Sequence, residues 1–224
     1  MYPAIPVTPG LPEAVEPFEI EIPPAPWRLH GTACISLWRL PVHLLPEAAP
    51  GIRYVTLAGQ ALVATVWVNY QPGGTLTYDE LAVATVVRGA GRYNPACTVT
   101  HIWVDNPVSA EGGRRLWGIP KQLAEFDGQI ADSANTLHAT SEGGRLASLS
   151  VTERMRLPGS PPLRGFVIQR RENGLAVTRC RASGSVRLAR ASWHFPTSGP
   201  LAFLAGRRPL SSVLVTGFRA AFGL

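Results

Sequence analysis

The chain has 224 residues, 46% hydrophobic and 16% charged, a balance that excludes intrinsic disorder and allows one domain with a sizeable core. Its net charge of +6 comes from 21 basic against 15 acidic residues. That excess admits an anionic ligand, but no helix-turn-helix, RNA-recognition or zinc pattern accompanies it, so nucleic acid is not an expected partner.

Residues 1–26 carry prolines at 3, 6, 9, 12, 17, 23, 24 and 26, which forbid a regular element. They predict an extended arm, with residues 27–224 as a single domain. Short β-type runs follow at Cys34–Leu40, Gln60–Tyr70, Thr77–Val87 and Cys97–Val104, rich in Val, Thr, Trp and Tyr. Gln71-Pro72-Gly73-Gly74 is a turn, and Asp105-Asn106-Pro107 stops the fourth run. A short helix is expected near Pro107–Arg115 and a second one starting at Pro120. Thr136–Thr140 and Arg145–Val151 flank Ser141-Glu142-Gly143-Gly144 and read as a hairpin. Phe166–Arg170, Leu175–Cys180 and Ser185–Leu188 complete the series. Many short strands with Gly/Pro turns predict a mainly β fold, an antiparallel sandwich or barrel with few short helices.

Cys34, Cys97 and Cys180 are far apart and form no C-x-x-C, which fits a reducing cytoplasm better than a disulfide framework or zinc site. His30, His43, His101, His138 and His194 show no metal-ligand spacing, so no metal is expected. The first residues lack a basic stretch followed by an apolar one, and no apolar run reaches about 18 residues. A cytoplasmic location without a membrane span is therefore expected.

Among the 21 basic residues, 20 are arginine and one is lysine, Lys121. Arginine supplies charge and ion pairs but stays protonated, so it cannot serve as an amine nucleophile. A sole lysine in Gly113-Arg114-Arg115-Leu116-Trp117-Gly118-Ile119-Pro120-Lys121-Gln122-Leu123 points to imine chemistry. If Pro120 opened a helix, the helix dipole would disfavour an ammonium at Lys121, and an apolar wall would lower its pKa further.

Here the chain resembles the acetoacetate decarboxylase-like family. The residues that carry the resemblance are Gly113-Arg114, Gly118-Ile119-Pro120-Lys121, the upstream strand His101–Asn106 ending in Asp-Asn, and Tyr78-Asp79-Glu80. Gly199–Gly206 and Phe218–Gly223 also look similar, so the resemblance covers most of the chain from Trp27 onward. It implies a closed or nearly closed antiparallel β-barrel, an interior pocket, a homo-oligomer, Lys121 as the imine-forming amine and Glu80 as its acid/base partner. Arg114, Gln122, Tyr78 and Trp117 are the expected substrate-binding residues. No organic cofactor is expected, because the iminium itself is the electron sink.

The chain departs from the family's archetype at several positions. Gln122 stands where the archetype has a second lysine that activates the first by its charge. Arg115 replaces the acidic residue after Gly-Arg. Thr32 and Thr65 fall, by loose alignment, where an arginine that handles the substrate carboxylate and a second glutamate are expected. The resemblance therefore implies a carbon–carbon lyase or aldolase-dehydratase acting on a keto acid or ketone more readily than a simple β-keto acid decarboxylase. An imine-free hydratase or cyclase relying on Glu80, and a non-catalytic barrel that holds an apolar small molecule, are the alternatives.

Overall fold

The central strands of the sheet are buried on both faces over part of their length. In β3 (Gln60–Tyr70) the odd positions are covered from Ala61 onward, and beyond Val66 both faces are covered. A computed structural model describes residues 20–89, 93–130, 136–160 and 162–224. Within them the other strands are β1 (Trp27–Pro41), β2 (Thr56–Leu57), β4 (Tyr78–Val87), β5 (Ala96–Val104), β6 (Lys121–Leu123), β7 (Glu125–Asp127), β8 (Leu137–Ser141), β9 (Gly144–Arg156), β10 (Leu163–Arg171), β11 (Gly174–His194) and β12 (Ser211–Phe222). The single α-helix among these residues is α1 (Pro107–Trp117). None of the described helices is long and apolar enough to cross a membrane. Residues 1–19 of the expected N-terminal arm lie outside the described residues.

Hydrogen bonding runs in the order β10-β5-β4-β3-β1-β12-β11, and β11 pairs back onto β10, so the strands form a closed ring. Closure removes the exposed edges that an open sheet would present. From β11 the sheet continues through β9 and β8 to β7. This extension covers the outer face of the ring: Leu137, Ala139, Leu146 and Leu149 share a core with Trp67, Leu81 and Trp103. A second core lies inside the ring, where Trp27, Leu29, Tyr78, Ile102 and Val104 pack against Ala110 and Trp117 of α1. The mainly β ring expected from the sequence is present.

Several details differ from the sequence-based expectation. The ring is not wholly antiparallel, because β5 pairs in parallel with β10 at one end and with β6 at the other. Between them the Gln169 side chain bridges to β5, accepting from Thr98 Oγ1 at 2.6 Å and donating to Val99 O at 2.9 Å. The runs Leu175–Cys180 and Ser185–Leu188 belong to one strand, β11. Between Ser183 and Ser185 the strand is unbroken, and only its register shifts, because Gly184 faces both Gly217 and Phe218 of β12. Gly184 is needed there because a Cβ would lie 2.9 Å from Phe218 Cα. The strand β12 lacks a clean alternation because a bulge opposite Gly184, around Gly217, shifts its register. The helix expected at Pro120 does not form. Gly118, left-handed at φ 68°, ends α1 with Gly118 N donating to Arg114 O and Ile119 N to Gly113 O. The chain then leaves as β6, whose backbone satisfies the free edge of β5.

Trp67 is fully buried where the ring meets the extension. Trp67→Ala should cost about 3–5 kcal/mol, read as a lowered urea midpoint with an unchanged slope.

Candidate active site

Placement of the lysine begins with α1. Asn106 caps the helix by accepting from Ser109 N at 2.9 Å, and Pro107 occupies the first turn, where its missing N–H costs nothing. Gly112 and Gly113 are poor helix formers, yet both are required by contact. A Cβ on Gly112 would lie 2.5 Å from the Trp27 ring, and one on Gly113 would lie 2.7 Å from Lys121 Cδ. The lysine side chain therefore starts against Gly113 and runs back along the helix to Ser109, one turn earlier on the same face.

In the sheet, Lys121 is in register with Ile102 of β5, and Ile102 with Ala82 of β4. Glu80 is two residues before Ala82, so its side chain emerges on the same inner face. Lys121 Nζ donates to Glu80 Oε2 at 2.9 Å, to Ser109 Oγ at 2.9 Å and to Tyr78 OH at 3.3 Å. The three ammonium protons are thus matched by three acceptors. The Tyr70 hydroxyl donates to the other Glu80 oxygen at 3.3 Å, and its ring packs 4.4 Å from that of Tyr78. Lys121 is 5% exposed and Glu80 8%, so the ion pair is effectively out of water.

That environment corrects the expected lysine pKa. Burial alone pulls the Lys121 ammonium down, but the Glu80 carboxylate beside it, helped by the Tyr78 oxygen, outweighs burial. The net shift is upward from the ordinary value of 10.5. Burial raises both phenols, with Glu80 adding to the shift at Tyr70 and Lys121 opposing it at Tyr78. Both therefore remain protonated at neutral pH. Lys121 also does not lie in a first helical turn. Its backbone sits beside the last turn of α1, and only its amine reaches the first.

The other candidates occupy different places. Arg114 Nη1 donates to Lys121 O at 2.7 Å and Nη2 to Glu111 at 2.8 Å, so it braces the lysine segment from outside. Gln122 is exposed and lines a hollow of about 840 Å³ with Asp105, Arg114 and Glu142, away from the amine. Trp117 is wedged edge-on between Trp27 and Phe222, each at 4.7 Å, as part of the inner core. Thr32 and Thr65 lie on the opposite faces of β1 and β3 from the positions that adjoin Glu80. Thr65 accepts from Trp38 Nε1 at 3.0 Å in the outer core. Ser109 and Tyr70 were not singled out from the sequence. Their signals are the four-residue spacing of Ser109 to Gly113 and the flanking of one turn by Tyr70 and Tyr78. The described residues contain no cluster of His, Cys, Asp and Glu able to hold a metal.

The sequence profile of the family described as acetoacetate decarboxylase (ADC) matches residues 31–193. No curated protein sequence matches the chain. Among solved structures, the enduracididine biosynthesis enzyme MppR complexed with pyruvate is 19% identical with a TM-score of 0.62, covering 99% of this chain and 97% of that one. The acetoacetate decarboxylase of Legionella pneumophila is 13% identical with a TM-score of 0.63, covering 94% of this chain and 90% of that one. At these identities the likeness is one of fold.

Two expectations follow from the geometry. Gly113→Val should displace Lys121 and cost about 1–3 kcal/mol by overpacking, read from the thermal midpoint. The raised pKa of Lys121 makes its stabilising contribution complete below 10.5 and lost as pH rises through the higher folded value. Urea midpoints measured across that alkaline range should fall less steeply in Lys121→Met than in the parent protein.

Proposed function

The chain belongs to the acetoacetate decarboxylase family, and on that premise we propose that it is a cofactor-independent enzyme that binds a carbonyl substrate as an iminium on Lys121 and breaks or forms a carbon–carbon bond through the enamine. The observation that carries this reading is the buried Lys121–Glu80 pair at 2.9 Å. A lysine held inside an apolar ring by one carboxylate has a nucleophile, a proton acceptor and a dry setting together.

The protons balance without an outside catalyst. Lys121 gives one proton to Glu80 and its free amine attacks the carbonyl carbon. The carbonyl oxygen takes a proton from the attacking nitrogen and a second from Glu80, and leaves as water. The nitrogen, now doubly bonded to carbon, keeps one proton and one positive charge. Glu80 is a carboxylate again, so the iminium inherits the ion pair that the ammonium had. Glu80 then removes a proton next to the iminium carbon, or returns one to the enamine after a bond has broken. Tyr70 keeps the carboxylate pointed inward. Ser109 and Tyr78 offer hydroxyls where the carbonyl oxygen departs.

Retro-aldol cleavage or aldol addition with dehydration fits better than simple decarboxylation, because Ala33 and Val68, the inner-face positions of β1 and β3 in the row of Glu80, are apolar and Thr32 and Thr65 point away from it. The upward-shifted ammonium also supports a second reading, an imine-free hydratase or cyclase in which Glu80 is the base and Lys121 a fixed cation. Residues 27–224 act as the one catalytic domain in either case, and a homo-oligomer is part of the same family reading.

Intact mass after incubation with ketones or keto acids and borohydride tests the imine directly. A reduced adduct at Lys121 that is absent in Lys121→Arg is expected. Turnover that survives in Lys121→Arg but not in Glu80→Gln, with no adduct in the parent protein, would establish the imine-free reading instead. Glu80→Gln removes the charge that raises the amine. Its adduct should therefore form at lower pH than in the parent protein, while steady turnover drops by about 10²-fold or more for want of a base.

A further inference from the structure

Four neighbouring strands of the ring, β10, β11, β12 and β1, contain no aspartate or glutamate. Their outer face carries arginine instead. Leu29, Cys180 and Phe222 belong to the inner core, so their sequence neighbours Arg28, Arg179, Arg181 and Ala221 point outward. Arg28 of β1 and Arg181 of β11 are each in register with Ala221 of β12, and Arg181 is in register with Arg164 of β10. Arg219 lies two residues from Ala221 on the same face of β12. All five arginines are exposed, while Ala221 between them is 6% exposed.

Such a row is unfavourable by itself. Like charges directly opposite one another on paired strands repel, as Arg164 and Arg181 do here. Further along β11 an arginine is answered by an acid, where Arg187 Nη1 pairs with Glu153 of β9 at 2.5 Å. Among the described residues, Arg28, Arg164, Arg179, Arg181 and Arg219 make no ion pair. A hollow of about 500 Å³ opens beside Arg28 and Arg219, between the turn at Gly73-Gly74 and the bulge at Gly217. His30, in register with Arg219, also lines it, and no described carboxylate does. Asp79 and Asp105 line the adjoining hollow, which shares His30, and are engaged there by Asn69 and by the Asp79 amide.

We infer that this outer face is a binding site for a small molecule that carries a di- or triphosphate group. Arg28, Arg181 and Arg219 surround one alanine. Adjacent strands are about 4.8 Å apart, so Arg28 and Arg181 start about 10 Å from each other, and Arg219 is a diagonal neighbour of both. Three long side chains at that spacing can converge on one chain of phosphates, and each guanidinium fork matches two phosphate oxygens. The charge of such a ligand relieves the repulsion within the row. The hollow beside Arg28 leaves room for the rest of the ligand, with His30 as a further donor. A single phosphate would engage one or two of the arginines and leave the others unmatched. The site lies outside the ring, on the opposite face from the Lys121–Glu80 pair, and does not depend on the iminium reading.

Calorimetric titration of the full-length protein with tripolyphosphate, at an ionic strength of about 0.15 M, tests the site. One-to-one binding at least about tenfold tighter than that of inorganic phosphate is expected. The double variant Arg28→Gln/Arg219→Gln should weaken it at least about tenfold, and Arg181→Gln alone about threefold or more. Arg207→Gln/Arg208→Gln removes the same charge beside the far end of β1, where Leu210 N donates to Leu37 O, and should leave binding unchanged. These positions are exposed, and thermal midpoints check that the variants fold. ATP as a second probe separates the sources: tighter binding of ATP identifies the phosphates as those of a nucleotide, and equal binding identifies the phosphate chain alone. No binding of either probe, or an equal loss in both double variants, overturns the inference. Tighter binding of a single-stranded oligonucleotide or of phosphatidylserine vesicles, abolished by Arg28→Gln/Arg219→Gln, also overturns it and makes the face a surface for a macromolecule or a membrane.

Discussion

The ion pair between Lys121 and Glu80 is the constraint on which the rest of this structure depends. Two opposite charges taken out of water lose several kcal/mol of hydration each, and good geometry with further hydrogen bonds is needed to offset it. The chain meets that need with residues from three elements. Ser109 of α1 and Tyr78 of β4 take the other two ammonium protons, and Tyr70 of β3 holds the second carboxylate oxygen. Gly113 leaves room for the lysine stem, and the left-handed turn at Gly118 sends the chain back along β5 so that Lys121 lands in register with Ile102. The ring carries the two partners to one inner face, and α1 closes over them.

In the proposed imine mechanism, the same pair supplies what a cationic lysine needs. An ammonium and an iminium carry equal charge, so Glu80 stabilises the start and the product of imine formation alike. What the enzyme must supply is the short-lived neutral amine, reached by moving one proton over the 2.9 Å to Glu80. The archetype's route, a second lysine that lowers the first by repulsion, is closed here because Gln122 faces away from the amine. In the proposed mechanism this site trades a permanently lowered pKa for a proton partner in contact.

Much of this was legible in the sequence. The sole lysine, its Gly-x-Pro-Lys setting and Tyr78-Asp79-Glu80 pointed to the pair before any contact was known. Gln60–Tyr70 emerged with its observed ends, because a turn of Gly and Pro follows it and Gly59 precedes it. Other features were hidden for physical reasons. β12 loses its alternation at the bulge around Gly217, and in the first half of β1 the small residues Gly31 and Ala33 weaken an alternation that the structure shows. Gly184 looked like a break because a bulge and a turn share the same residue types. Pro120 looked like a helix start because its alternative, edge pairing with β5, depends on a strand about 20 residues away in sequence. Ser109 gained meaning only once α1 showed which of its faces the lysine stem follows.

The direct measurement is the titration of Lys121 by NMR in protein labelled with ¹⁵N-lysine, where a sole lysine gives a single side-chain signal. A midpoint above 10.5 that drops when Glu80 becomes Gln is the predicted result. A midpoint near neutrality that ignores Glu80→Gln would contradict the ion pair as the organising interaction of the site.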